Sequence, residues 1–141
     1  MTMYRHVFAW FAAVILAVSP AWAVSPFQTI RTVTHQMTGV NLSCSGTMIE
    51  DYKFLTAAHC LQEMQPLYIK DYPVMSILKL DMELDLALLE VGMPSPVAEF
   101  ASRSPELDSP VVAIGFPLGL AQVVTEGRLQ AVSGKNFLFS A

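Results

Sequence analysis

The sequence has little charge and no run of lysine or arginine. Only 14 % of its 141 residues are charged, whereas 53 % are apolar. A chain this apolar is not disordered, so we expect a folded protein. Without a basic patch, nucleic acid and anionic membrane surfaces are poor candidates as partners. The sequence also lacks internal repeats and low-complexity tracts.

Part of the apolar excess lies at the N-terminus. Arg5 and His6 precede a twelve-residue apolar run, Val7–Val18, and Ala21-Trp22-Ala23 forms a small-x-small cleavage site. This pattern predicts a secretory signal peptide over residues 1–23. The alternative is a membrane anchor, but the run is shorter than the about 20 apolar residues that span a bilayer.

Removal of the leader leaves an acidic chain. Only Arg5 is lost, so seven basic and twelve acidic side chains remain in residues 24–141, a net charge of −5 with neutral histidine. We expect this chain to be secreted or periplasmic and to leave the membrane after cleavage. The acidity by itself names no ligand, and the oligomeric state stays open.

There are two cysteines, Cys44 and Cys60, both after the leader. An exported pair most simply forms a disulfide, here closing a loop of about 15 residues for roughly 3 kcal/mol. The alternative is a zinc site. The exported part offers only His35 and His59 besides the cysteines, with no Cys-x-x-Cys spacing, so we expect no metal. We also expect no cofactor.

Short apolar or alternating runs separated by turn residues predict an all-β barrel or sandwich. The predicted strands are Thr29–Val33, Leu42–Ile49, Lys53–Ala58, Leu67–Lys70, Val74–Leu80, Leu84–Val91, Val111–Phe116, Ala121–Val132 and Phe137–Phe139. A proline-rich stretch over residues 92–110 predicts a surface linker. Helical periodicity is confined to Ala58–Met64.

The strongest chemical signal is the string Phe54-Leu-Thr-Ala-Ala-His59-Cys60, preceded by Cys44-Ser45-Gly46. Together these residues closely resemble the chymotrypsin/trypsin family of serine proteases. The resemblance implies that His59 is the general base and that Cys44 and Cys60 tie its loop to a neighbouring strand. Such a base must be held within about 0.5 Å of productive geometry.

A second segment, Leu84-Asp85-Leu-Ala-Leu-Leu, resembles the family's Asp-x-Ala-Leu-Leu motif. A carboxylate inside an apolar strand is costly unless it has a partner. We therefore expect Asp85 to be buried and to accept a hydrogen bond from His59 Nδ1, as the family resemblance implies. The alternative is that Asp85 points outward from an alternating strand. Asp71, Asp81 and Glu83 are weaker rivals, because none precedes the same apolar run.

A third segment, residues 112–119 with 123–133, is similar to the opening of the second barrel in bacterial trypsin-like and HtrA-type proteases. The resemblance implies a chymotrypsin-like double β-barrel. We expect a complete first barrel over residues 24–92, a linker over 93–110, and only the opening strands of the second barrel over 111–141.

The family's nucleophile lies in Gly-x-Ser-Gly-Gly, and no such string occurs in the sequence. Ser133 lacks the preceding glycine and falls on a strand, and Ser140 is one residue from the end. We therefore expect a fragment or split reading frame of a serine endopeptidase acting on protein or peptide substrates. The alternatives are a secreted, non-catalytic protease-like binding module and a product that never folds.

Overall fold

The computed structural model describes residues 2–3, 16–17, 26–62, 65–134 and 136–140. The predicted signal peptide lies outside the described residues except for two short strands, at 2–3 and 16–17. The strands and the helix, in chain order, are β1 (Thr2–Met3), β2 (Leu16–Ala17), α1 (Pro26–Val33), β3 (Thr34–Gly39), β4 (Leu42–Glu50), β5 (Lys53–Thr56), β6 (Tyr68–Ile69), β7 (Tyr72–Asp81), β8 (Leu86–Val91), β9 (Pro110–Gly115), β10 (Val123–Ser133) and β11 (Asn136–Ser140). Two 3-10 helices cover Ala58–Leu61 and Pro117–Gly119. Within these residues, no helix has both the length and the apolar character needed to cross a membrane.

Six antiparallel strands close a barrel in the order β3-β4-β5-β8-β7-β6. Its core follows from strand alternation, since every second side chain points inward. Along β8, Ala87, Leu89 and Val91 are buried while the residues between them are partly exposed. Phe54 from β5 and Met48 from β4 complete the centre. Each large side chain buried in this way contributes roughly 1.5–3 kcal/mol.

The second sheet has the order β1-β11-β10-β9-β2 and does not close. Strand β9 is its most buried element, with residues 111–115 all buried. Helix α1 covers part of this sheet, because Ile30 and Val33 pack against Ile114. The closed first barrel and the open second sheet confirm the predicted all-β, chymotrypsin-like fold with an incomplete second barrel.

The predicted strand Thr29–Val33 is wrong, because these residues belong to α1. Ile30 and Val33 are three positions apart, which places both on one face of a helix. The sixth barrel strand is instead Thr34–Gly39. Its buried residues include the polar Thr34 and His35, so its sequence shows no apolar alternation.

Between β8 and β9, residues 92–109 contain no helix or strand. The first part of this segment is fixed to the barrel. Met93 is buried in the barrel core, and the Ala98 amide donates to the Met48 carbonyl at 2.7 Å.

Candidate active site

His59 lies where β5 runs into the 3-10 helix Ala58–Leu61. Just before it, the Thr56 hydroxyl is fully buried and donates to the Ser45 carbonyl at 2.9 Å. Ala57 and Ala58 are also buried, and side chains larger than alanine would have to displace the barrel core there. The Thr-Ala-Ala sequence therefore fixes the backbone from which the imidazole projects.

Asp85 is not inside a strand and is not buried, which corrects the prediction. It is the last residue of the turn between β7 and β8, and its side chain is 37 % exposed. Strand pairing begins only at the next residue, Leu86, opposite Asp81. The Asp85 backbone has φ +56°, a left-handed conformation in which aspartate is enriched. In this conformation its carbonyl accepts the Ala58 amide at 3.1 Å.

The two predicted site residues meet through two hydrogen bonds. The His59 backbone amide donates to Asp85 Oδ1 at 2.8 Å, and His59 Nδ1 lies 2.7 Å from Asp85 Oδ2. A carboxylate only accepts hydrogen bonds, so Nδ1 carries the proton in this pair. Because both oxygens bind the same residue, the main chain and the ring of His59 are oriented together. The His59 side chain is 34 % exposed and remains accessible from solvent.

The Cys44–Cys60 disulfide is confirmed, with a Cα–Cα distance of 6.5 Å. It joins β4 to the residue that follows His59. The ligand atoms of Cys44, His59 and Cys60 lie within 4.8 Å of one another. The two sulfurs are bonded to each other, however, so neither is the thiolate that a zinc site requires.

The close packing of β4 against β5 explains why position 46 in the Cys-Ser-Gly segment is a glycine. A Cβ atom at this position would lie 2.3 Å from the Phe54 ring and 2.6 Å from the Leu55 carbonyl oxygen. Only glycine lets β4 approach β5 this closely while the Phe54 ring fills the barrel core. The segment that carries Cys44 thus meets the strand that leads to His59 without distortion.

The family described as "Trypsin-like peptidase domain" matches residues 44–140, well over half of the chain. The chain belongs to the trypsin-like peptidase family. No curated protein is similar enough in sequence to match it.

Solved structures agree with this trypsin-like assignment. The serine endoprotease from Yersinia pestis superposes with a TM-score of 0.67 at 25 % identity, covering 82 % of this chain and 48 % of that one. The Rv3671c protease from M. tuberculosis in its active form gives a TM-score of 0.66 at 22 % identity, covering 84 % and 59 %. Its inactive form gives 0.64 at 23 %, covering 87 % and 66 %. The structural similarity to the M. tuberculosis protease supports the fold alone. The chain spans about half to two thirds of the length of these structural neighbours.

Three other candidates for the site of this trypsin-like domain, one rival of Asp85 and two serines, make no described contact with the catalytic pair. Asp81 Oδ1 accepts the Leu84 amide at 2.9 Å and so caps the turn that ends at Asp85. Ser133 is exposed on β10. The Ser140 hydroxyl accepts the Arg128 amide at 3.3 Å, on the second sheet. None of these contacts involves His59.

A second histidine of the trypsin-like domain, His35, is buried on β3 with 6 % of its surface exposed. The Ser95 hydroxyl donates its proton to the Pro96 carbonyl at 2.8 Å, so it accepts from His35 Nε2 at 2.9 Å. Burial lowers the pKa of His35 to about 4, and the positive charge of Lys70 adds to the lowering. No motif in the sequence indicates this contact between β3 and the linker.

Proposed function

We propose that this chain supplies the histidine–aspartate pair of a trypsin-like serine endopeptidase that cleaves protein or peptide substrates. The observation that carries the proposal is the paired hydrogen bonding of the Asp85 carboxylate to the main chain and ring of His59. The family match over residues 44–140 supports the same reaction class.

In the proposed reaction, His59 Nε2 takes the proton of a serine hydroxyl as its oxygen attacks the peptide carbonyl, and later gives it to the leaving amine. Asp85 stays ionised. It keeps the Nδ1 proton in place and stabilises the imidazolium that forms between the two transfers. The exposed part of the His59 ring leaves room for a substrate to approach.

The proposal places the nucleophile outside these 141 residues, because no Gly-x-Ser-Gly-Gly string occurs among them. We place outside these residues, too, the amides that would stabilise the oxyanion and the pocket that would select the substrate side chain. Activity is thus expected of a protein in which such a serine meets His59.

Export is part of the proposal. The Cys44–Cys60 disulfide supports an oxidising compartment such as the periplasm or the exterior. N-terminal sequencing of the protein purified from its native source should give Val24 as the first residue. A start at Met1 would contradict cleavage of the predicted leader.

The proposed activity is tested with a fluorophosphonate probe, which labels activated serines. Protein produced from its natural gene should be labelled, and the label should map by mass spectrometry to a serine outside the 141 residues. The variant Asp85→Asn should lose about 10⁴-fold in labelling rate, since it removes the ion that orients His59. Labelling at Ser133 or Ser140, or a rate indifferent to Asp85→Asn, would contradict the assignment.

A non-catalytic binding module is the second candidate, and the missing nucleophile motif is the observation in its favour. It predicts that peptides bind to the purified chain and are recovered intact. It also predicts that fluorophosphonate labels no serine in the protein from its native source. Peptide binding alone does not require an aspartate that accepts one hydrogen bond from the His59 main chain and one from its ring.

A further inference from the structure

Ser45 lies between Cys44 and Gly46 on β4 and is almost completely buried. Its hydroxyl accepts the backbone amide of Phe116 at 2.7 Å. Phe116 follows β9 and opens the 3-10 helix Pro117–Gly119. A single side chain thus connects the first barrel to the first turn of the second sheet across 71 residues of sequence.

At this point the side chains of β4 make contacts on both sides of the strand. Cys44 packs in the barrel core and bonds to Cys60, beside His59. Ser45, its neighbour, faces the opposite side of the strand. The backbone carbonyl of Ser45 accepts the Thr56 hydroxyl, which fixes the end of β5 ahead of His59. The positions of the His59 loop and of the turn after β9 therefore depend on the same two residues.

The turn itself needs an external constraint. Leu118 has φ +54° and Gly119 φ +71°, both in the left-handed region, and Leu118 is exposed. For leucine this conformation is disfavoured and persists only when surrounding contacts fix it. The Ser45–Phe116 hydrogen bond fixes the residue at which the turn begins.

We infer that Ser45 is a positioning residue, whose hydroxyl sets the turn Phe116–Gly119 of the second sheet against the strand that carries the disulfide beside His59. The inference rests on the proposed function in assigning the turn a part in the active site. The hydrogen bond is the physical means. Without it, the Phe116 amide loses its buried acceptor, and the turn loses a hydrogen bond to β4.

Three variants test the inference. Ser45→Ala removes the acceptor, and Ser45→Thr keeps a hydroxyl on a side chain suited to strands. Ser43→Ala is the matched control. Ser43 also lies on β4 and its hydroxyl also accepts a hydrogen bond, but from the Gln36 side chain at 2.7 Å within the barrel.

The first measurement is amide hydrogen exchange by NMR on the full chain. In Ser45→Ala, exchange of the Phe116 amide should accelerate at least about tenfold, because one buried hydrogen bond is lost. Ser45→Thr and Ser43→Ala should both keep the exchange of the Phe116 amide at the wild-type rate. A Phe116 rate that Ser45→Ala leaves unaltered, or that Ser43→Ala raises equally, would overturn the inference.

The second measurement uses peptide hydrolysis by the protein from its natural gene. Ser45→Ala should lower kcat at least about tenfold with KM nearly unchanged. Ser45→Thr should retain activity, and this difference from Ser45→Ala shows that the hydroxyl itself is needed. An active wild type with an unchanged Ser45→Ala kcat would overturn the positioning role. An inactive wild type would instead refute the proposed function, while the exchange measurement still decides whether Ser45 holds the turn.

Discussion

Acid should destabilise this protein through His35, a residue outside the candidate catalytic pair. The folded state keeps His35 neutral, because burial lowers its pKa from the ordinary 6.5 to about 4. The unfolded chain takes up a proton at about pH 6.5. Unfolding therefore binds a proton between these two values, and the free energy of unfolding falls as the pH falls through this window. The contribution of neutral His35 is fully present above pH 6.5 and is lost as the pH approaches 4.

The size of the effect follows from the shift. With each pKa unit equal to 1.36 kcal/mol, the change between pH 7 and pH 4 amounts to about 3 kcal/mol. This is a large part of the 5–15 kcal/mol that stabilises a typical domain. Desolvation is the main cause and the charge of Lys70 the smaller one. The variant Lys70→Asn should therefore raise the pKa of His35 only slightly, and asparagine suits the positive φ of +53° at this position.

The assay is urea unfolding followed by far-ultraviolet circular dichroism at several pH values between 7 and 4. Both tryptophans precede residue 24, so their fluorescence cannot report on the exported chain. The reference variant is His35→Gln, whose amide can still donate to Ser95 but does not titrate. Wild-type stability should fall about 3 kcal/mol further than that of His35→Gln over this range. NMR titration of the His35 ring should give a midpoint near 4. Parallel pH profiles for the two proteins, or a His35 midpoint of 6 or higher, would refute the reasoning.

Three further predictions concern stability and are checked by urea or thermal unfolding at pH 7. Gly46→Ala should cost about 3 kcal/mol or more, because the new methyl group would overlap the Phe54 ring and a backbone carbonyl; a loss below about 1 kcal/mol would show that β4 and β5 can separate easily. Reduction of the disulfide should cost about 3 kcal/mol, and an unchanged transition in reductant would contradict its role as a constraint. Ile30→Ala should cost about 2–4 kcal/mol while the exposed Arg31→Ala stays within about 0.5, and equal costs for the two would contradict the helix at residues 26–33.

The sequence predicted which residues lie together at the site better than it predicted their surroundings. His59, Asp85 and the cysteine pair were found because their motifs are long and specific. The environment of Asp85 was mispredicted, since flanking leucines suggested a strand. The residue instead ends a turn, has a left-handed backbone itself, and hydrogen-bonds through its carboxylate to His59. Asp85 lies one residue before strand pairing begins, and the apolar character of its neighbours does not encode where that pairing begins.

The first strand of the barrel was missed for a different reason. Residues 29–33 were expected to alternate like a strand, but their two apolar residues, Ile30 and Val33, are three apart and belong to a helix. The true strand, Thr34–Gly39, buries Thr34 and His35. A buried polar side chain is tolerated when it finds a hydrogen-bond partner, as His35 does in Ser95, 60 residues further along the chain. No local pattern could reveal a partner so distant.

The arrangement of the site bears on whether the chain acts as an enzyme or as a binding module. His59, Asp85 and both cysteines all come from the closed first barrel, whose core is continuous across its strands. The geometry of the pair therefore needs only this barrel, and it is compatible with either function. What distinguishes them is the relation of the pair to the second sheet. A binding module has no need for that sheet to be held at a fixed position relative to His59, whereas acyl transfer to a serine requires it. The Ser45–Phe116 hydrogen bond is one of the contacts that hold the sheet in this way, together with that of the Gln122 side chain to the Thr34 carbonyl, and both are consistent with the proposed peptidase.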